Sequence, residues 1–134
     1  MTGITFPLTV YTYIYFWHSS PMIARSKRQQ RVLADQQILF IHQRMVDKVL
    51  QAPELFSTLE GTLQRRYACG MMRYGSYMMW HSILAHKNEA AIFRSLVLAN
   101  DPRSASLRRE TIFTGILSEE ERESALADYA ASLV

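Results

Sequence analysis

Hydrophobic residues between positions 26 and 134 recur mostly every three or four residues, which is the spacing of amphipathic helices. The longest such stretch, Ser26–Gln51, has apolar residues on one side and charged or amide residues on the other, but Arg28, Arg31 and Asp35 lie on the line of the apolar stripe. Either the helix starts nearer Val32, or its first turns extend past the body of the protein. It should end at the Ala52-Pro53 step, because a residue before proline avoids the helical region. His42 lies within the apolar stripe, so we expect a buried histidine with hydrogen-bonded ring nitrogens.

Three more helices follow from the same periodicity, over about 53–70, 76–87 and 88–100. The helix over 76–87 is apolar on every side, and such a helix is normally central, so Trp80 should be almost fully buried. Residues 102–110 are mostly polar and begin with proline, which predicts an exposed loop. The second and fourth helices should face the core with Leu55, Phe56, Leu59, Leu63, Tyr67, Ile92, Phe93, Leu96 and Val97.

A last helix is predicted from Ser118, because a serine followed three residues later by a glutamate, here Glu121, forms a capping box. Leu126, Tyr129 and Leu133 should form its inner edge. The sequence therefore predicts an all-α fold, a small bundle of about five helices.

The first part of the chain has a different pattern. Residues 1–21 carry no charge, and β-branched and aromatic residues alternate there, which predicts a strand over 4–16. Its predicted partner is a short strand over 111–117. A signal peptide would need a basic start, and a membrane helix would need a longer apolar run. The remaining hypothesis is a native start at Met22, with 22–134 as a single helical domain.

Composition and charge exclude few classes of function. The 134 residues carry a net charge of +3, and half are hydrophobic, an ordinary balance for one globular domain. Cys69 is the one cysteine, so no disulfide can form within the chain, which suits a cytoplasmic protein. We expect no stable membrane insertion. The basic balance permits nucleic acid as a partner without requiring it.

Basic residues suggest the first functional hypothesis, a small regulator or accessory protein that contacts DNA or RNA. Residues 25–31 hold four cations and no acid, at the start of the first helix. Three more arginines lie among tyrosines between positions 65 and 77, and arginine with tyrosine suits nucleic-acid backbones and unstacked bases. The candidate nucleic-acid-binding residues are Arg25, Lys27, Arg28, Arg31, Arg65, Arg66 and Arg73.

Methionines suggest the alternative hypothesis, a protein-binding adaptor. Flexible thioethers can line an adaptable groove for a partner helix, although they also fill cores. The acidic last helix is a second candidate surface for a protein partner. The candidate partner-binding methionines are Met71, Met72, Met78 and Met79, which cluster near Trp80 in the sequence.

Catalytic and metal-binding patterns do not emerge from the sequence. His81 and His86 are five residues apart and so poorly aligned on one helix face for a shared metal ion. Cys69 lies among apolar neighbours, which predicts an inert core thiol. The spacing of Gly70 and Gly75 matches no phosphate-binding loop. We therefore predict no enzymatic activity, catalytic residue, metal or cofactor.

Overall fold

The computed structural model describes residues 26–134, and this part of the chain is all-helical, as predicted. Its six helices, one more than expected, are α1 (Lys27–Gln51), α2 (Leu55–Ala68), α3 (Tyr74–Leu84), α4 (Ala90–Val97), α5 (Pro102–Arg109) and α6 (Glu119–Ser132). The chain divides into two compact units, residues 1–33 and 34–134. The predicted strand over 4–16 and the alternative start at Met22 lie outside the described residues.

Helix α1 begins and ends where the sequence predicts. Its start is a capping box: the Gln29 backbone N–H donates to Ser26 Oγ at 3.1 Å, and the Ser26 N–H donates to Gln29 Oε1 at 3.0 Å. The helix ends at Gln51, before the Ala52-Pro53 step. No helix within 26–134 is both long and apolar enough to cross a membrane.

The core of the second unit surrounds Trp80 and Phe113. Trp80 is only 1% exposed, as predicted, and its indole N–H donates to the Glu110 carbonyl at 3.2 Å. Phe113 is fully buried, and its ring centroid lies 5.9 Å from Trp80 and 6.4 Å from Phe93. The other large side chains that are fully buried are Phe93, Val46, Val49, Leu59, Leu63, Val97 and Ile112.

The predicted strand over 111–117 is wrong, because this segment is an irregular turn that enters the core. Ile112 and Phe113 are both buried, whereas neighbouring residues of a strand point to opposite faces. The Phe113 N–H donates to Thr111 Oγ1 at 3.1 Å, and Gly115 has a φ of +83°, which favours glycine. The hydrophobic run therefore fills the core without pairing as a strand.

The predicted exposed loop over 102–110 is also wrong, since helix α5 occupies it. The Asp101 carboxylate accepts a hydrogen bond from the Ser104 backbone N–H at 2.8 Å, which caps the helix. Pro102 occupies the first turn, where its missing N–H costs nothing. The helix buries Leu107 and Arg108. The prediction was wrong because one of these two buried side chains is charged, so the segment looks polar in the sequence.

Helices α3 and α4 are less enclosed than predicted. Helix α3 begins two residues before the expected start at 76, and it buries Trp80, Ile83 and Leu84 while Met78 is 43% exposed. In α4, Phe93 and Val97 are buried as predicted, but Ile92 and Leu96 are exposed. Each is a short helix that covers the core with one face only, so its remaining apolar residues meet solvent.

Helix α6 begins with the predicted capping box, in which Glu121 N–H donates to Ser118 Oγ at 3.1 Å. Two ion pairs join it to α1: Lys48 to Glu121 at 2.6 Å and Arg44 to Asp128 at 2.7 Å. Its one buried residue is Ala125. The predicted inner edge is partly wrong, because Leu126 and Tyr129 are half-buried and Leu133 is exposed.

Candidate partner-binding site

A rigid corner between α2 and α3 builds the candidate site. Helix α2 ends in a Schellman motif: the Met71 N–H donates to the Arg66 carbonyl and the Gly70 N–H to the Tyr67 carbonyl. Gly70 has the positive φ, +73°, that this motif requires. Cys69 caps the helix and is exposed, so the prediction of a core thiol is wrong.

Three tyrosine rings lie together across this corner. Tyr67 from α2 stacks on Tyr77 from α3, with 4.1 Å between ring centroids and an interplanar angle of 18°. Tyr74 is 6.2 Å from Tyr67, also between centroids. The Tyr77 hydroxyl is 3.0 Å from Gln64 Nε2, which ties the stack back to α2. The stacking and this hydrogen bond therefore connect Tyr77 of α3 to α2.

Two of the four candidate methionines join these rings at the surface. Met71 is 74% exposed and Met78 43% exposed, while Met72 is buried in the core and Met79 is half-buried against it. With Tyr74 at 64% and Tyr67 at 37% exposure, they form one group of exposed large side chains. We call it the tyrosine–methionine surface, made of Tyr67, Met71, Tyr74, Tyr77 and Met78.

The candidate arginines of this region mostly hold the chain together. Arg66 donates to the Thr111 carbonyl and, at 2.9 Å, to Thr114 Oγ1. Arg73 pairs with Glu110 at 3.0 Å, although its side chain remains 81% exposed. Arg65 is exposed and lies 3.4 Å from Thr62 Oγ1. Arg66 and Arg73 thus fix the 110–114 segment against the α2–α3 corner.

The candidate basic segment belongs to the first unit. Lys27, Arg28 and Arg31 lie in the first turns of α1 and are exposed. No ion pair joins these three cations to another residue that the structure describes. Arg25 lies outside the described residues. The three cations are therefore accessible to an anionic partner.

Several acidic side chains of α6, the acidic last helix, form ion pairs within the protein. Glu121 and Asp128 pair with α1, and Glu119 lies 3.4 Å from Arg122. The Lys48 ammonium and the Ser118 backbone N–H hold the pKa of the Glu121 carboxyl at about 2. Glu120 and Glu123 are exposed. The helix thus offers less free negative charge than its sequence suggests.

His42 is buried as predicted, at 2% exposure, and it is held as a neutral ring. Its Nδ1 lies 2.8 Å from the Ile38 carbonyl and therefore donates, so Nε2 accepts from the Thr111 hydroxyl at 2.7 Å. Burial, opposed by the hydrogen bond to Ile38 and helped by the charge of Arg108, lowers the pKa of His42 from 6.5 to about 4. Sequence reasoning missed Thr111 as the partner, because the two residues are 69 positions apart.

Within the described range, no group of three or more His, Cys, Asp or Glu side chains could hold a metal ion. His86 pairs with Glu89 at 2.9 Å, and His81 lies against Tyr77. Searches of protein-family models, curated proteins and solved structures found no significant match to the chain.

Proposed function

We propose that the protein is a cytoplasmic, non-enzymatic adaptor that binds another protein through the tyrosine–methionine surface. The observation that carries this proposal is the exposure of four large side chains at one corner, namely Tyr67, Met71, Tyr74 and Met78. Scattered single apolar residues on a surface need no explanation, but a group of them that includes tyrosines is typical of a binding site.

The physical chemistry of these side chains suits a protein partner. Tyrosine brings a large contact area at a low cost in conformational entropy, and stacking of Tyr67 on Tyr77 lowers that cost further. Met71 and Met78 add flexible contacts that adjust to the shape of the partner. A fixed aromatic centre with an adaptable edge is a favourable arrangement for an energetic hot spot.

The neighbouring arginines favour a protein over a nucleic acid at this surface. A protein that binds a nucleic-acid backbone needs cations that can contact the phosphates. Here the guanidinium groups of Arg66 and Arg73 already donate to the 110–114 segment, although the Arg73 side chain is 81% exposed, and Arg65 is the one of the three that donates nothing to this segment. The surface therefore offers apolar and aromatic contacts more than positive charge.

We expect Tyr74→Ala to weaken partner binding by about 30-fold, the effect of losing about 2 kcal/mol at a hot spot. The partner would first be found by photo-crosslinking in the native host from a reactive residue placed at position 71. The same residue placed at position 92, which is exposed on α4, is the control for non-specific capture. The dissociation constant would then be measured with the purified partner.

Ile92→Ala is the matched variant for that titration, because Ile92 is also apolar and exposed but lies outside the tyrosine–methionine surface. It should change the affinity by no more than about twofold, as do most side chains outside a hot spot. A partner that crosslinks equally from both positions, or that binds the Tyr74→Ala protein as tightly as wild type, would contradict the proposal.

Nucleic-acid binding through the basic segment is the second candidate function. The observation that favours it is the exposure of Lys27, Arg28 and Arg31 without an ion pair to a described residue. Cations of this kind bind phosphates by releasing counterions, whatever the sequence of the nucleic acid. This candidate uses residues of the first unit and none of the tyrosine–methionine surface.

If this second candidate holds, log affinity for duplex DNA should fall with log salt concentration with a slope of about −3.6, or about 0.9 for each of four phosphate contacts. Replacing Arg25, Lys27, Arg28 and Arg31 with alanine should flatten the slope while circular dichroism stays nearly unchanged. Arg103→Ala, which removes an exposed cation of α5, is the control. Anisotropy titrations with duplex and single-stranded DNA and RNA measure the slope, and dissociation constants all above about 100 µM would contradict this function.

A further inference from the structure

A cleft of about 520 Å³ in the second unit shares no lining residue with the tyrosine–methionine surface. It lies between α1, the 108–117 segment and α6, and its volume suits a small-molecule site, for which roughly 300–1,000 Å³ is usual. Eight of its fifteen lining residues are polar or charged, and its apolar lining is formed by Ile38, Ile41, Met45, Phe113, Leu117 and Leu126.

A buried arginine lines the same cleft. Arg108 is 3% exposed, and both hydrogen bonds of its side chain come from Nη1, which donates to the Val97 and Ala99 carbonyls at 2.8 Å. Its Nε is buried without an acceptor among the described residues. The two carbonyls, near the end of α4, stabilise the guanidinium but carry no formal charge. No carboxylate of the described residues hydrogen-bonds the Arg108 side chain.

The other charges along the cleft are compensated. Arg109 makes a two-point ion pair with Asp35, at 2.8 and 3.0 Å, and Arg122 lies 3.4 Å from Glu119. His42 is neutral and both its ring nitrogens are engaged. Arg108 is therefore the one cation lining the cleft that no carboxylate of the described residues hydrogen-bonds, although the charges of Asp101 and Asp35 favour its charged form. One guanidinium matches a single carboxylate and is too little for a dianionic phosphate.

We propose that this cleft binds a small amphipathic monocarboxylate, with its carboxylate towards Arg108 and its apolar chain along the wall formed by Ile41, Met45 and Leu126. The guanidinium attracts the anion even without direct contact at its buried Nε. The apolar walls of the cleft have a low dielectric constant, so they screen Coulomb attraction less than water does. The apolar chain gains by leaving water, and the carboxylate gains from the charge of Arg108, which no carboxylate of the described residues hydrogen-bonds. A neutral molecule of the same shape would gain only the first of these contributions.

Octanoate and octanamide test this proposal on the full chain, because they share one apolar chain and differ in charge. Backbone amide shifts in ¹H–¹⁵N spectra locate the binding, and calorimetry measures the affinity. Octanoate should bind in the cleft with a dissociation constant of about 1 mM or tighter, and octanamide at least about tenfold more weakly. Tyr74→Ala, on the tyrosine–methionine surface, should leave both affinities unchanged.

Arg108→Gln should remove the preference for octanoate over octanamide. Because Arg108 also holds two backbone carbonyls, this variant could lose its fold, so Leu126→Trp provides an independent test by filling the cleft from α6. It should abolish binding of both probes. The proposal is overturned by equal affinity of the wild-type protein for the two probes, by octanoate binding that survives in Leu126→Trp, by shifts confined to other surfaces, or by no saturation below about 10 mM.

Discussion

Replacing Trp80 with alanine should lower the free energy of unfolding by about 3–5 kcal/mol, the usual loss for a large aromatic side chain in a core. Trp80 is 1% exposed, and its ring packs against Phe113 with 5.9 Å between centroids. The substitution also removes the indole N–H that donates to the Glu110 carbonyl, the residue before the turn that enters the core. Both losses act on the packing of the 110–117 segment.

Urea unfolding of the wild type and the variant, followed by circular dichroism, gives this difference directly. Met78→Ala is the matched control, because Met78 lies on the same helix at 43% exposure. It should change stability by much less, close to the roughly 0.5 kcal/mol typical of surface sites. A loss below about 1 kcal/mol for Trp80→Ala would mean that α3 lies outside the core of the second unit.

The burial of Trp80 and His42 was predictable because both lie within helical patterns that have many apolar neighbours. A periodic stripe identifies a buried face even when the packing partner is unknown. Periodicity does not identify the buried face of a helix as short as α4, where Ile92 and Leu96 are exposed. An eight-residue helix such as α4 covers the core with only a few positions, so the periodicity cannot distinguish inner from outer apolar residues.

Helix α5 and the turn after it were missed for a different reason. The start signal of α5, Asp101-Pro102, is present in the sequence, but the helix carries no apolar stripe to accompany it. Its buried Arg108 is stabilised by carbonyls that follow from how α4 and α5 meet, and no local pattern contains that information. The turn over 111–117 has β-branched residues, but burial of Ile112 beside Phe113 overrides their preference for a strand.

The candidate partner-binding site was predictable in composition but not in arrangement. The sequence identified four methionines near Trp80, and the Schellman motif at Gly70 decides that Met71 is exposed while Met72 is buried. A glycine after a helical pattern was the available signal for this corner. The stacking of Tyr67 on Tyr77 depends on the angle between α2 and α3, which the periodicity of either helix leaves open.

The neutral state of His42 makes stability depend on acid. We expect the free energy of unfolding to fall by about 3 kcal/mol as the pH decreases from 6.5 to 4, the amount that corresponds to lowering the pKa of His42 from 6.5 to about 4. The sign follows from proton uptake. Between these pH values the unfolded chain binds a proton at His42 that the folded protein does not bind, so acid favours unfolding. The contribution is fully present above pH 6.5 and lost below 4.

His42→Gln isolates this effect, because glutamine keeps a polar side chain but does not titrate. Its stability should be nearly independent of pH between about 6.5 and 4.5, whatever its absolute stability, if His42 is the group responsible. Glu121, with its pKa at about 2, loses its stabilising contribution only as the pH falls from 4.5 to 2, so it acts below this window. His81→Gln, at an exposed histidine, should retain the slope of the wild type. If the slope persists in His42→Gln, another group is responsible for the acid sensitivity. Folding would then leave the proton affinity of His42 unchanged, despite its buried hydrogen bonds to Ile38 and Thr111.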